Sequence, residues 1–268
     1  MKILWATDIH LNFAGEKELN RFCDEINLAD ALIISGDITG GRKADLELLS
    51  EKISVPIYFV LGNHDYYGCS FSEMNGIVGR LCNKKDNLRW LSRASGGYEL
   101  LNGVPIVGHE GWYDCHFGMP GRLVLNDFMQ IKDFRPLYLT GVESLLFEKF
   151  REKAKQAADH FRSALSRVFQ QYDKAILVTH VPPFKEAAWH QGQMSDKIWL
   201  PYMSSKIAGD ALIDIMNSNQ DKKLLVLCGH THSEGQIQML PNLKVLTGKA
   251  VYRFPEISKD LGDLSNVF

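Results

Sequence analysis

Short runs of aliphatic, β-branched and aromatic residues recur along this chain, and each stops abruptly at a group of polar side chains. Ile3 to Ala6, Ala31 to Ile34, Pro56 to Leu61, Lys174 to Val178 and Leu224 to Cys228 are such runs. They are too short for buried helices and too continuously apolar for half-exposed strands, so they predict strands covered on both faces. Between the first three, Leu19, Phe22, Cys23 and Ile26 recur at helical spacing from about Glu16, and a second helical stretch covers Ala44 to Lys52. The result is a β-α-β-α-β rhythm. Further on, the pattern predicts a helix over Ser72 to Leu81, a short strand at Leu88 to Leu91 and a strand at Val104 to Gly108. Leu146, Phe150, Ala154, Ala157, Phe161, Leu165, Val168 and Tyr172 then recur three and four apart, which defines one long amphipathic helix. Thr140-Gly141-Val142-Glu143 has the form of a capping box at its start. After Cys228, Gln236 and Gln238 alternate with Ile237 and Met239 in a strand, and Leu243 to Leu246 pairs with it. These elements predict a single domain over residues 1–254, with a helical insertion at about 115–172 and a surface tail at 255–268.

Composition narrows the class. With 268 residues and 45% hydrophobic content the chain has enough apolar material for one large α/β core. A formal charge of −2 argues against a chain-wide affinity for nucleic acid. The charged face of the long helix, with Lys149, Arg151, Lys153, Lys155, Arg162 and Arg167 beside Glu148, Glu152 and Asp159, reads as a solvated mixed surface. Five cysteines, with no Cys-x-x-Cys pair, suit a reducing compartment, and Cys228 reads as buried filler. The first apolar stretch is too short for a signal peptide and no run spans a bilayer, so a soluble cytoplasmic protein without membrane contact is expected.

The chemistry collects at the strand ends. Asp8 and His10 follow the first run, Asp37 the second, and Gly62-Asn63-His64-Asp65 the third; His180 follows the fourth, and His230 and His232 the fifth. Asp8 and His10, like the two late histidines, stand at i and i+2, a spacing that on an extended segment turns both side chains the same way. All five clusters are expected on one edge of one sheet, the edge at which open α/β sheets bind ligands.

This order of blocks (Asp-x-His, Gly-Asp, Gly-Asn-His-Asp, a lone His and Gly-His-x-His) resembles the calcineurin-like metallophosphoesterase superfamily, and His180-Val181-Pro182-Pro183 looks like its cyclic-nucleotide phosphodiesterase branch. The resemblance covers residues 8 to 232. It implies an α/β (α+β) fold with a two-layered β-sandwich flanked by helices and a dinuclear site at the C-terminal strand ends. It further implies that Asp8, His10 and His232 hold one divalent ion, that Asn63, His180 and His230 hold the other, and that Asp37 bridges them. His64 is implied as the catalytic acid or transition-state donor, and Asp65 as an anchor of its loop.

The implied chemistry is in-line attack on phosphorus by a hydroxide bridging the ions. Two divalent cations about 3.5 Å apart repel by roughly 19 kcal/mol at an effective dielectric of 20, so an anion such as Asp37 is required between them. Imidazole, carboxylate and amide donors suit Mn, Fe or Zn. The tally of metal charges against Asp8, Asp37 and hydroxide leaves about one positive charge, which a phosphodiester neutralises and a monoester dianion exceeds. Ile38-Thr39-Gly40-Gly41 lacks the Asp and Arg that the protein phosphatases of the superfamily carry there. Hydrolysis of a small phosphodiester is therefore expected. A nuclease on the same centre would need a basic track, and a non-catalytic module of this fold would lose ligands that are all present here. For substrate contacts the sequence offers His109, Trp112, Tyr113 and Asp114 in the loop after Val104 to Gly108, with packing of that loop under the long helix as the competing expectation. Trp189 and His190 have the same status. The sequence is silent on oligomeric state.

Overall fold

The computed structural model describes residues 1–264 and 266–268, with all side chains among them except that of Ser95. In chain order the strands and helices are β1 (Ile3–Ala6), α1 (Glu16–Ile26), β2 (Ala31–Ser35), α2 (Lys43–Lys52), β3 (Ile57–Val60), α3 (Phe71–Cys82) and β4 (Leu88–Trp90). They continue with β5 (Glu99–Leu101), β6 (Val104–Gly108), α4 (Asn126–Gln130), α5 (Arg135–Leu139), α6 (Glu143–Val168) and β7 (Lys174–Val178). The chain closes with β8 (Trp189–His190), β9 (Gln193–Met194), α7 (Lys206–Asn217), β10 (Lys223–Cys228), β11 (Gly235–Leu240), β12 (Leu243–Thr247) and β13 (Lys259–Asp260).

These strands form two large sheets. One has the order β13-β1-β2-β3-β4 and the other β11-β12-β10-β7-β6-β5, while β8 and β9 make a small separate hairpin. Pairing is parallel from β1 to β4 and from β12 to β6, and antiparallel at β13, β11 and β5. The expectation of five polar ends on one sheet is thus corrected: β1, β2 and β3 belong to one sheet, β7 and β10 to the other. Strand periodicity explains why the runs are apolar throughout. Ile3, Trp5, Ile33, Val60, Ile176, Val178, Leu225 and Leu227 face the space between the sheets. Their neighbours Leu4, Ala6, Leu32, Ile34 and Phe59 face outward into a core shared with α1, α2 and α3. Leu177, Leu224 and Val226 do the same under α6 and α7. In β1, β2 and β3, and in β7 and β10 after their exposed first lysines, every residue is buried whichever way it points, as expected for parallel strands covered on both sides.

Three local expectations change. Thr140 does not cap α6: it follows α5, donates from Oγ1 to the Leu137 carbonyl (2.6 Å) and accepts from the Val142 N–H (3.1 Å). Gly141, at φ 73°, then reverses the chain, so the hydroxyl finishes one helix rather than starting the next. The capping box forms instead at α3, where Ser70 and Glu73 satisfy each other's backbone N–H groups. Second, α6, expected within a helical insertion at about 115–172, serves as a crossover of the second sheet. It links the parallel pair β6 and β7, which demands a crossover, and Ala157, Phe161, Ala164 and Leu165 lie against that sheet. Third, residues 255–268 are no surface tail. β13 pairs with β1 at Leu4↔Asp260, and Leu261 and Leu264 are buried between the sheets. Among the described residues, no helix is long and apolar enough to cross a membrane.

Candidate metal centre

The five polar blocks meet where the C-terminal ends of the two sheets come together. The pairing of each sheet continues past the strands and holds the loops in register. The Asp8 and His10 N–H groups donate to the Gly36 and Asp37 carbonyls (3.0 Å each), and Gly229 N–H donates to the His180 carbonyl (3.0 Å). Asp8 (φ 49°), His10 (φ 41°), Asp37 (φ 51°), His230 (φ 71°) and His232 (φ 56°) all adopt left-handed backbone conformations. The i, i+2 pairs therefore do not lie on extended segments; tight left-handed turns bring their side chains inward. Such conformations cost about 1–2 kcal/mol per non-glycine residue and concentrate at functional sites. Glycines before the ligating residues allow the close approach. A Cβ on Gly62 would collide with Asp37, and one on Gly229 with Thr7 and Asp8.

One half of the site comprises Asn63, His180 and His230. Every one of them is held from behind. His180 Nδ1 lies 2.9 Å from the Ser35 carbonyl and His230 Nε2 lies 2.8 Å from the Tyr202 carbonyl. A carbonyl accepts only, so these nitrogens carry the protons and the opposite nitrogens present lone pairs. Asn63 donates through Nδ2 to Asp127 (2.9 and 3.1 Å), which turns its Oδ1 toward the histidines. Three acceptors thus converge, with Asn63 Oδ1 to His180 Nε2 at 3.0 Å, Asn63 Oδ1 to His230 Nδ1 at 3.1 Å, and the two nitrogens 3.2 Å apart. Lone pairs aimed at one another without a proton repel. A bound cation would turn that repulsion into attraction, and the donor set fits one.

The other half comprises Asp8, His10 and His232. His232 Nε2 is 3.1 Å from His10 Nε2 and 3.3 Å from Asp8 Oδ1. Asp8 is secured by the Thr7 hydroxyl (2.6 Å) and the His230 N–H (3.0 Å). Asp37 stands between the halves: Oδ1 is 3.4 Å from His180 Nε2, and Oδ2 is 3.8 Å from His10 Nε2 and 3.9 Å from His64 Nε2. One ligating atom from each of Asp8, His10, Asp37 and His232 lies within 4.8 Å of all the others.

The protonation states agree with a cation site. Burial holds His10 and His180 down to about 3 and His64 to about 4, so all three are neutral at neutral pH, and His10 and His180 keep a lone pair free for a cation. Burial raises Asp8, but the His232 hydrogen bond and the surrounding histidines outweigh it and keep the carboxyl below its ordinary range. Asp37 moves the opposite way, because burial and the charges of Asp8 and Asp65 both disfavour its ionised form. Asp37 thus lacks the favourable partners that Asp8 finds in its histidines, and a divalent ion would supply the missing counter-charge.

Asp65 touches none of these ligating atoms. It accepts from the N–H groups of Gly62 (2.8 Å), Thr39 (2.6 Å) and Ile38 (3.2 Å), which ties the loops after β2 and β3 together. His64 sits at the open side, its ring stacked on Tyr67 with centroids 4.5 Å apart.

The aromatic loop after β6 does not reach the site opening. Trp112 and Tyr113 are 2% and 0% exposed, so neither contacts a substrate from solvent. Trp112 packs against Phe71 and Phe134, and Tyr113 packs against Phe150 of α6, the arrangement expected of a loop lying under the long helix. His109 faces His160 and Phe161 of α6, and Asp114 is fully buried, accepting from the Ile207 N–H (2.7 Å) at the start of α7. Trp189 and His190 belong to the small hairpin, and the Cys228 thiol is buried against the Leu246 carbonyl.

Two groups near the site were not legible in the sequence. Asp127 of α4 collects hydrogen bonds from Asn63, from the Tyr67 hydroxyl (2.6 Å) and from the Tyr113 hydroxyl (2.7 Å). It follows no strand and matches no spacing, and only its burial beside Asn63 reveals it. Tyr252 lies over the rings of His10 and His232, at centroid distances of 4.6 and 4.9 Å, and precedes the stretch expected to be a tail.

In fold the chain is similar to a phosphopantetheinyl hydrolase from Mycobacterium tuberculosis, with a TM-score of 0.60 at 14% identity, over 94% of this chain and 90% of that one. It is likewise similar to a dimetal phosphatase from Danio rerio, with a TM-score of 0.57 at 13% identity, over 95% and 89% of the two chains. At these identities the likeness speaks for the fold. No curated protein sequence matches the chain. The sequence pattern of the calcineurin-like phosphoesterases matches residues 1–234, which include every polar block from Asp8 to His232, and the chain belongs to that family.

Proposed function

We propose that this chain hydrolyses small phosphate esters, phosphodiesters in preference to monoesters, at a centre of two divalent cations. The observation that carries the proposal is the convergence of Asn63 Oδ1, His180 Nε2 and His230 Nδ1 within 3.0–3.2 Å, with Asp37 facing both this group and the Asp8, His10, His232 group. Asn63, His180 and His230 would hold one ion, Asp8, His10 and His232 the other, and Asp37 both. When bound, such ions supply positive charge against a phosphoryl group and lower the pKa of water to about 7.

The protein's own groups do the rest. His64 is neutral at physiological pH, so one ring nitrogen keeps a proton to donate toward a phosphoryl or leaving oxygen. Its stack on Tyr67, whose hydroxyl is fixed to Asp127, holds that imidazole beside the ligands rather than among them. Hydrolysis adds water at phosphorus and breaks one ester P–O bond, and the departing oxygen must gain a proton; His64 is placed to assist that transfer. The preference for diesters is supported by charge. Among the described residues, no lysine or arginine forms an ion pair with Asp8, Asp37 or Asp127, so a dianion would find no cationic side chain in contact with the cluster. The test compares kcat/KM for bis-p-nitrophenyl phosphate and p-nitrophenyl phosphate after reconstitution with Mn, Fe or Zn. The diester is expected to be favoured at least about tenfold; a clear monoester preference would overturn the assignment.

A further inference from the structure

The solvent side of the metal cluster is walled by aromatic rings. His10 and Asp37 are fully buried, while the side chains of His64 and His232 are 21% and 23% exposed, so the centre opens between these two histidines. On the His64 side the opening is bounded by Tyr67. On the other side Tyr252 covers His10 and His232, and Phe13 meets Tyr252 edge-on at 5.3 Å. Phe13 lies only three residues after the ligating His10, at the end of a one-turn helix, and is 50% exposed. Tyr252 is 45% exposed, and its neighbours Val251 and Phe254, bridged across a tight turn, are 55% and 50% exposed. Large rings left half in water forgo a substantial part of their burial energy, and a cluster of them beside a reactive centre marks a contact surface.

From this juxtaposition we infer that Phe13 and Tyr252 form a binding shelf for a flat aromatic or heteroaromatic group of the phosphodiester substrate, the ester arm that does not leave; the inference rests on the activity proposed above. The shelf abuts the metal ligands directly, so a group carried one or two bonds from phosphorus reaches it. An edge-to-face pair in which both rings are about half exposed leaves part of each free to stack on such a group. Stacking on such a ring is worth about 1–3 kcal/mol, which converts to roughly five- to hundredfold in affinity.

The test uses two diesters with the same leaving group, bis-p-nitrophenyl phosphate and methyl p-nitrophenyl phosphate, on the metal-reconstituted enzyme. The expected result is a preference for the aryl arm of at least about fivefold in kcat/KM, carried mainly by KM, that collapses in Phe13→Ala and persists in Phe13→Trp. An equal preference in the native enzyme and Phe13→Ala would overturn the shelf. In parallel, calorimetry of the same proteins with phenylphosphonate and methylphosphonate reads the shelf without turnover. Tighter phenylphosphonate binding that is lost in Phe13→Ala supports it, even if neither diester is hydrolysed and the diester activity therefore fails. Equal affinity for the two phosphonates overturns it.

Discussion

The two halves of the candidate metal centre differ in how they are held. Around Asn63, His180 and His230 every ligating atom is backed by a partner: Asp127, the Ser35 carbonyl and the Tyr202 carbonyl. Around His10 and His232 the backing is thin. His10 Nδ1 is buried with no hydrogen-bond partner, His232 is partly exposed, and Tyr252 covers both rings. A backed ligand keeps its tautomer and orientation before any ion arrives, which raises affinity; a ligand held by ring packing alone retains freedom. One half is therefore preorganised and the other is freer to adjust.

The sharpest way to separate the two roles is His64→Ala, which acts on the open side. Turnover is expected to fall about 10²–10⁴-fold, the range for a positioned proton donor, while metal content by elemental analysis stays at the native stoichiometry. Unchanged turnover would remove His64 from the chemistry. On the backed side, Asp127→Ala strands the Asn63 amide and the hydroxyls of Tyr67 and the buried Tyr113. Metal affinity is expected to drop about 10–100-fold in competition with a chelator, and stability in denaturant titration by about 3 kcal/mol. If Asp127→Ala bound metal as tightly as the native chain, the contrast between the halves would be empty.

The third effect is in pH. His180 and His10 titrate near 3 in the folded, metal-free chain because they are buried, whereas unfolded histidine titrates near 6.5. Between these values the unfolded chain binds protons that the folded one does not. Stability of the metal-free protein should therefore fall as pH drops from about 6.5 toward 3, with nothing from these groups above that window. A melting temperature that stays flat from pH 7 to 4 would show that these histidines are not held neutral. Loading with metal should steepen the loss, since protons compete for the same lone pairs.

Much of this centre was legible in the primary structure because parallel strands buried on both faces are apolar along their whole length, so their ends announce themselves. Asp8, Asp37, Asn63, His180 and His230 each follow such a run by two or three residues. Asp127 and Tyr252 follow none. They reach the site through α4 and through a turn after β12, and no local period marks such a contact. Trp112 and Tyr113 left two readings open for the complementary reason: an aromatic loop beside a strand end looks the same whether it points to solvent or under a helix. Only the packing of α6 across it, with Phe150 against Tyr113, separates the two.

The strand runs, the glycines that allow close backbone approach, and the types and order of the polar side chains at the strand ends follow from the order of residues, because these obey short-range steric and hydrophobic rules. The tertiary structure alone decided that the blocks come from two sheets, that β13 closes the edge of the first, and which nitrogen of each histidine faces inward. Those features depend on groups far apart in the chain, such as Ser35 and His180 or Asn63 and Asp127, whose meeting is set by the packing of whole layers.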